Sequence, residues 1–241
     1  MQWQDAGLVI GARKHGETSV ILEVMTRERG RCLGVVRGGR SRDQRPVLQA
    51  GNRVLISWRA RLEEHLGAFI VDPIELRTAR FLNNGAALHG LATLISFLRL
   101  LPERDPHSEL YELAEAIISG FCLDNNGAMA MARFELALLS ALGFGLDLQA
   151  CALTGDQEDL AYVSPKSGRV VSRNAGEPWR ERLLPYPVFL QDLRHVATRE
   201  DLTGAFRLTG YFLMRDVFAP RFVSLPTSRA LYIDALSRLA A

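Results

Sequence analysis

Between Ala6 and Leu76 the hydrophobic positions come in short runs that alternate with polar ones, a period-two pattern that predicts strands. Ala6–Arg13 is a short apolar run, and Thr18–Met25 is rich in β-branched and large apolar residues. Thr26–Gly30 reads as a turn with Gly30 at its left-handed position. Arg31–Arg37 continues as a third strand, Gly51–Arg59 as a fourth, and His65–Leu76 as a fifth, interrupted near Pro73. In the fourth, Val54, Ile56 and Trp58 alternate with Arg53, Leu55, Ser57 and Arg59, which puts the first set on one face and the arginines on the other. Five short strands in about seventy residues predict a small barrel or sandwich, the five-stranded OB type being one candidate.

Further on the period changes to that of helices. Asp105 reads as an N-cap with Pro106 at the first helical position, followed by Leu110, Leu113, Ala114, Ile117 and Phe121 at helical spacing. Asn126 opens another helix, with Phe134, Leu138 and Leu142 on one stripe and an end near Gly143. Thr198 and Asp201 form a capping box before a helix that runs to about Phe218. Pro220 and Pro226 break the chain, and Ser228–Leu239 is the last helix. Between these helices, Gln149–Pro187 is irregular and rich in glycine and proline. The chain therefore reads as a multi-domain α+β protein: a β module over residues 1–79 and a mainly α-helical domain over 80–241, carrying an insertion at 149–187.

Composition narrows the class. Of 241 residues, 48% are hydrophobic and 23% charged, ordinary for a globular protein that is not bound to a membrane. The most apolar window, Leu91–Leu101, is too short to span a bilayer and contains Arg99. The amino terminus carries no secretory pattern, and three widely spaced cysteines (Cys32, Cys122, Cys151) fit a reducing compartment, so a cytoplasmic location is expected. The net charge of +2 hides an asymmetry: the first eighty residues carry a positive excess and the remainder a smaller negative one. That split points to an anionic partner for the first part.

Catalytic patterns are lacking. Gly11–Thr18 has the glycine spacing of a phosphate-binding loop, but Glu17 stands where the lysine must be and would repel phosphate. Gly143-Phe144-Gly145 lacks the third glycine of a dinucleotide loop, and His15, His65, His89, His107 and His195 are scattered without a neighbouring nucleophile or base. The expectation is a protein without enzymatic activity, cofactor or metal. The strongest local signal is basic. Seven arginines lie between Arg27 and Arg45, against Glu28 and Asp43, and arginine's planar fork suits phosphate. Gly38-Gly39-Arg40-Ser41-Arg42 is loop-like, its glycines allowing the backbone close to a phosphate. The candidate DNA-binding residues are Arg13, Lys14, Arg27, Arg29, Arg31, Arg37, Arg40, Arg42, Arg45, Arg53 and Arg59. Trp58 belongs to the core by its periodicity, whereas Trp3 and Phe69 are candidate platforms for stacked bases. At this level an RNA-binding OB protein and a protein-interaction adaptor remain open.

Six segments, taken in order, carry a resemblance. W-Q-D-A-G-L-V-I-G-A-R-K-H-G-E-T-S (Trp3–Ser19), V-M-T-R-E-R-G (Val24–Gly30), V-V-R-G-G-R-S-R (Val35–Arg42), F-E-L-A-L-L-S-A-L-G-F-G-L-D-L (Phe134–Leu148), Y-V-S-P-K-S-G-R-V-V-S-R (Tyr162–Arg173) and L-P-T-S-R (Leu225–Arg229) resemble the bacterial RecO family of recombination and repair proteins. The resemblance spans nearly the whole chain. It implies an amino-terminal OB-fold, a helical domain and, in many members, a zinc-binding insertion. It also implies binding of single- and double-stranded DNA at the nucleoid, annealing of complementary strands, and no membrane. The implied partners are RecR, the C-terminal tail of the single-strand binding protein SSB and, indirectly, RecA, which such proteins help to load. At the metal this chain departs from the family. The C-x-x-C pairs survive as Cys151-x-x-Thr154 and Ser172-x-x-Ala175, with seventeen residues between them. One thiolate of four cannot hold a structural zinc, so the insertion is expected to be zinc-finger-like but metal-free. Leu153, Leu160, Tyr162, Val163, Val170 and Val171 are expected to hold it together as a small apolar hairpin, with Cys151 a buried remnant.

Overall fold

The period-two segments form five strands, and the strands close on themselves. A computed structural model describes residues 1–62, 64–121 and 126–239. It gives β1 (Gln2–His15), β2 (Ser19–Thr26), β3 (Gly30–Val36), a single helical turn α1 (Gln44–Val47), β4 (Arg53–Arg59) and β5 (Ala68–Glu75). The barrel order is β1-β2-β3-β5-β4, antiparallel throughout except where β3 meets β5 in parallel at Val35 and Ala68. The first strand is longer than the apolar run Ala6–Arg13 because it serves two partners. Gln2–Leu8 pairs with β4 and Gly7–His15 with β2, and the register shifts between Val9 and Gly11. Such a shift bends a strand and lets it turn the corner of a small barrel.

Alternation fills the barrel as the sequence predicts. Val20, Leu22 and Val24 of β2 and Val54, Ile56 and Trp58 of β4 are buried in one cluster, plugged by Val47 and Leu48 of and beside α1. Leu8, Ile10 and Met25 lie out of phase with that interior, yet they are fully buried as well. Two helices explain this: α2 (Gly85–Leu98) contacts β1, and α3 (Ser108–Gly120) contacts β2. The uninterrupted run Leu8-Val9-Ile10 is therefore a strand covered on both faces. The compact unit that contains the barrel extends through these helices, Met1–Cys122, and a second unit covers Leu123–Ala241.

Helix α3 starts later than Asp105 and Pro106 suggest. Its N-cap position is His107, with no side-chain capping bond. The segment before it is tied to β3: Arg104 takes a left-handed φ of 61° and its backbone N–H donates to the Arg31 carbonyl at 2.8 Å. Asp105 then lies against Gly30, where a Cβ would sit 2.0 Å from its carbonyl oxygen. The cap residues thus serve a strand contact and not the helix. Helix α2 follows Asn84, whose side chain accepts from the Ala87 backbone N–H.

The second unit contains α4 (Asn126–Ala141), α6 (Arg199–Phe212) and α7 (Thr227–Leu239). Phe134 and Leu138 of α4 are fully buried. Thr198 and Asp201 do form the reciprocal capping box of α6, and the helix continues through a π-helical turn, Leu213–Phe218. The stretch 149–187 holds a three-stranded sheet in the order β7-β6-β8, made of β6 (Leu160–Val163), β7 (Val170–Ser172) and β8 (Leu184–Pro185) with a helical turn α5 (Arg173–Gly176). Leu160, Val163, Val170 and Val171 are buried there and Tyr162 is half-buried. Leu153 does not join them: it lies before the sheet and is 68% exposed. Among the described residues no helix is long and apolar enough to cross a membrane.

Candidate nucleic-acid interface

The basic residues of the barrel fall into two places at opposite ends of the β2–β3 hairpin. At one end, Arg13 and Lys14 on the last turn-ward positions of β1 pair with Ile21 and Val20 of β2, and Val20 pairs in turn with Val36. Arg37 leaves β3 at that point. The loop that follows folds back on the β1–β2 turn, since the Arg40 backbone N–H donates to the Thr18 carbonyl at 3.0 Å and its guanidinium donates to the carbonyls of Gly16 and Glu17. The Ser41 N–H donates to the Gly38 carbonyl at 2.9 Å, and the Arg45 N–H to the Ser41 carbonyl at 3.1 Å. Arg13, Lys14, Arg37, Arg40, Arg42 and Arg45 are all exposed. Among the described residues, no carboxylate lies within 4.0 Å of any of these six cations.

The two glycines of this loop differ in purpose. Gly38 has φ +66° and open space around it, as a backbone that can approach a phosphate requires. Gly39 is buried, and a Cβ there would meet the Val20 side chain at 2.6 Å. Its lack of a side chain seats the loop on the barrel and leaves it facing inward, contrary to the expectation that both glycines serve the ligand.

The β2–β3 turn carries Arg27 and Arg29, both exposed. Arg27 forms an exposed ion pair with Glu112 at 3.0 Å, and Arg29 lies over the Trp3 ring with its Cζ 4.7 Å from the centroid. Arg59, exposed, ends β4 opposite Gln2. Two other arginines are engaged within the unit. Arg31 is largely covered: it donates to Glu23 at 2.8 Å and to the Leu101 carbonyl at 3.1 Å. Glu23 is shared with Arg99, whose Nε donates to it at 2.8 Å. Arg53 is half-buried, and its guanidinium lies beside the Tyr111 hydroxyl of α3.

Of the aromatic residues, Trp58 is in the core, its indole N–H donating to the Leu66 carbonyl at 3.1 Å. Phe69 is buried too, covered by Gly34, whose missing side chain leaves room for the ring: a Cβ there would lie 2.6 Å from it. It therefore offers no face to a base. Trp3 is half-buried and stacks on Trp58, with centroids 5.6 Å apart and planes at 18°.

Comparison with known proteins agrees with this architecture. The family model described as recombination protein O N terminal matches residues 1–76, and that described as recombination protein O C terminal matches 72–226. The chain belongs to the RecO family. A DNA repair protein RecO of Mesorhizobium japonicum is 54% identical over 241 residues, covering 99% of this chain and 94% of the relative. Those of Chelativorans sp. (99% and 96% covered) and Methylorubrum extorquens (97% and 97% covered) are each 53% identical over 239 residues. RecO membership makes this a DNA repair protein with an OB-like amino-terminal module.

The RecO resemblance also raises the question of zinc, and the surviving frame answers it chemically. The two half-pairs do converge. The buried Cys151 sulfur accepts from the Ser172 hydroxyl at 3.4 Å and from the Ser172 backbone N–H at 3.3 Å. Burial pushes the Cys151 thiol up, but donors from Ser172, Thr154 and the Leu153 backbone outweigh it and bring it down to about 6. The four ligand positions of the frame thus hold one sulfur, two hydroxyls and the methyl of Ala175, a set that does not fit tetrahedral zinc. Among the described residues no group of three or more His, Cys, Asp or Glu is placed to hold a metal ion. Cys122 lies outside the described residues. Metal analysis of the purified protein is expected to find well under one zinc per chain. A stoichiometric, chelator-resistant zinc would overturn this assignment.

Arg104 was not legible as part of this surface. It stands outside the basic stretch, and only the packing of its segment against β3 brings it beside Trp58.

Proposed function

We propose that this RecO-family protein is a DNA-binding recombination mediator whose loop at residues 37–45 holds the sugar-phosphate backbone. The observation that carries this reading is the group of six exposed cations with no carboxylate partner among the described residues, gathered by the docking of that loop on the β1–β2 turn. By contrast, Arg31, Arg77, Arg99 and Arg229 are each matched to Glu23, Glu115 or Glu135. Unneutralised guanidinium groups on one rim create a positive potential that concentrates a polyanion and fixes no base sequence.

In this reading the loop screens repulsion between two strands and leaves their bases free to pair. Stacking then supplies about 1.4 kcal/mol per base-pair step, so annealing of complementary strands needs no nucleotide hydrolysis. Single- and double-stranded DNA are both ligands, because both present the same phosphates. The family relationship supports cytoplasmic action with RecR on strands coated by SSB, ahead of RecA loading. The deciding experiment is annealing of complementary oligonucleotides coated with single-strand binding protein, without nucleotide. Acceleration in proportion to added protein is expected. No acceleration, or a requirement for ATP turnover, would refute the proposal.

A further inference from the structure

A small cavity of about 210 Å³ opens beside the Trp3–Trp58 stack, lined in part by Trp3, Glu28, Arg29, Leu33, Trp58 and Arg104. Its lining runs from the β2–β3 turn to Leu33 in the middle of β3, and includes no residue of the loop at 37–45. Each side of the indole stack faces a cation. Arg29 lies over Trp3, and the Arg104 Cζ is 6.0 Å from the Trp58 ring centroid. Arg104 is fixed in place by donating to the His65 carbonyl at 2.8 Å. Arg29 is exposed on the turn and can move with a ligand.

These groups define what would fit. The space is smaller than the 300–1,000 Å³ usual for a whole small-molecule ligand, and it suits one ring system. Indole and guanidinium planes both stack on nucleobases. Guanidinium N–H groups would meet ring nitrogens and carbonyls, and the exposed Glu28 carboxylate would accept from an exocyclic amine, as acidic side chains do from cytosine N4.

We propose that this pocket takes one unstacked base of a single strand, a second point of contact distinct from the backbone-binding loop. The inference rests on the reading of this protein as DNA-binding. Its consequence is a preference for strands that carry bases over a bare sugar-phosphate chain.

The test compares a short oligodeoxycytidylate with an abasic oligomer of equal length, using the full chain with Trp179→Phe so that Trp3 and Trp58 report by fluorescence. The base-bearing strand is expected to bind about 5- to 150-fold more tightly, the range for stacking a single base, and to quench the indoles. Trp3→Leu should remove most of that preference and leave the salt slope on the abasic strand unchanged. Arg29→Ala, at an exposed position, should reduce it as well and keeps the test decisive if Trp3→Leu fails to fold. Equal binding of both strands by the parent chain, or a preference that survives both variants, would overturn the pocket assignment while leaving backbone binding intact. Quenching by an acidic aromatic peptide but not by DNA would overturn it in favour of a protein ligand. Failure to bind either strand would instead remove the DNA-binding function itself.

Discussion

Replacing Arg37, Arg40 and Arg42 together with alanine is expected to weaken binding of single-stranded DNA by about 100-fold at 0.1 M salt. Each cation that neutralises a phosphate of a single strand contributes about 0.7 to the slope of log affinity against log salt, so three contribute about 2. Against a 1 M reference, where this electrostatic contribution is largely gone, a slope difference of 2 amounts to about two decades at 0.1 M. The three side chains are exposed and, among the described residues, outside any ion pair, so their removal leaves no buried charge behind. Arg40 also donates to the carbonyls of Gly16 and Glu17, and its loss loosens the loop as well as discharging it. The pair Arg37→Ala and Arg42→Ala separates these effects, with an expected loss of about 1.4 in slope and about 25-fold in affinity at the same salt. Equal affinity and equal slope in the parent and triple variant would remove this loop from the interface.

Arg229→Ala is expected to cost about 3–5 kcal/mol of stability, the usual penalty for orphaning one partner of a buried ion pair. Glu135 of α4 is 0% exposed and Arg229 of α7 is 7% exposed. The guanidinium donates to both Glu135 oxygens at 2.8 Å and to the Phe206 carbonyl of α6 at 2.8 Å. Thr209 completes the group by donating its hydroxyl to Glu135. Burial works against the charge on Arg229, but the Glu135 carboxylate outweighs it and holds the guanidinium above its ordinary pKa. Gly210 makes the approach possible, since a Cβ there would lie 2.8 Å from Nη1. One salt-bridged side chain thus joins three helices of the second unit. Denaturant unfolding of the variant measures the loss. The double variant Glu135→Met with Arg229→Met is expected to be more stable than either single one, because no charge is then left buried. A loss under about 1 kcal/mol in Arg229→Ala would show that water or another partner satisfies Glu135.

The barrel was legible in the sequence because its strands alternate. Val54, Ile56 and Trp58 announce their face, and Gly30 announces its turn, taking φ +64° as such a position requires. Helix α2 was not legible as an amphipathic element: Gly85–Leu98 has no charged residue and only scattered polar ones, so no stripe stands out against the rest. Asp105 and Pro106 look like a helix start because cap preference is local, whereas the contact of Asp105 with Gly30 is set by residues far away in sequence. The same limit applies to the interface. Composition identified the arginines, but it could not separate Arg31, matched to Glu23, and Arg53, beside Tyr111, from the exposed set at 37–45. Nor could it show that Phe69 is sealed under Gly34 while Trp3 keeps an edge open beside Arg29. In each case the deciding partner comes from another strand or helix, and periodicity carries no information about it.

The most direct measurement is the affinity of the unmodified protein for a single-stranded oligonucleotide across a salt series. Six cations meeting six phosphates give an expected slope of about −4 in log affinity against log salt. A slope near zero, or no binding even in dilute buffer, would contradict the account.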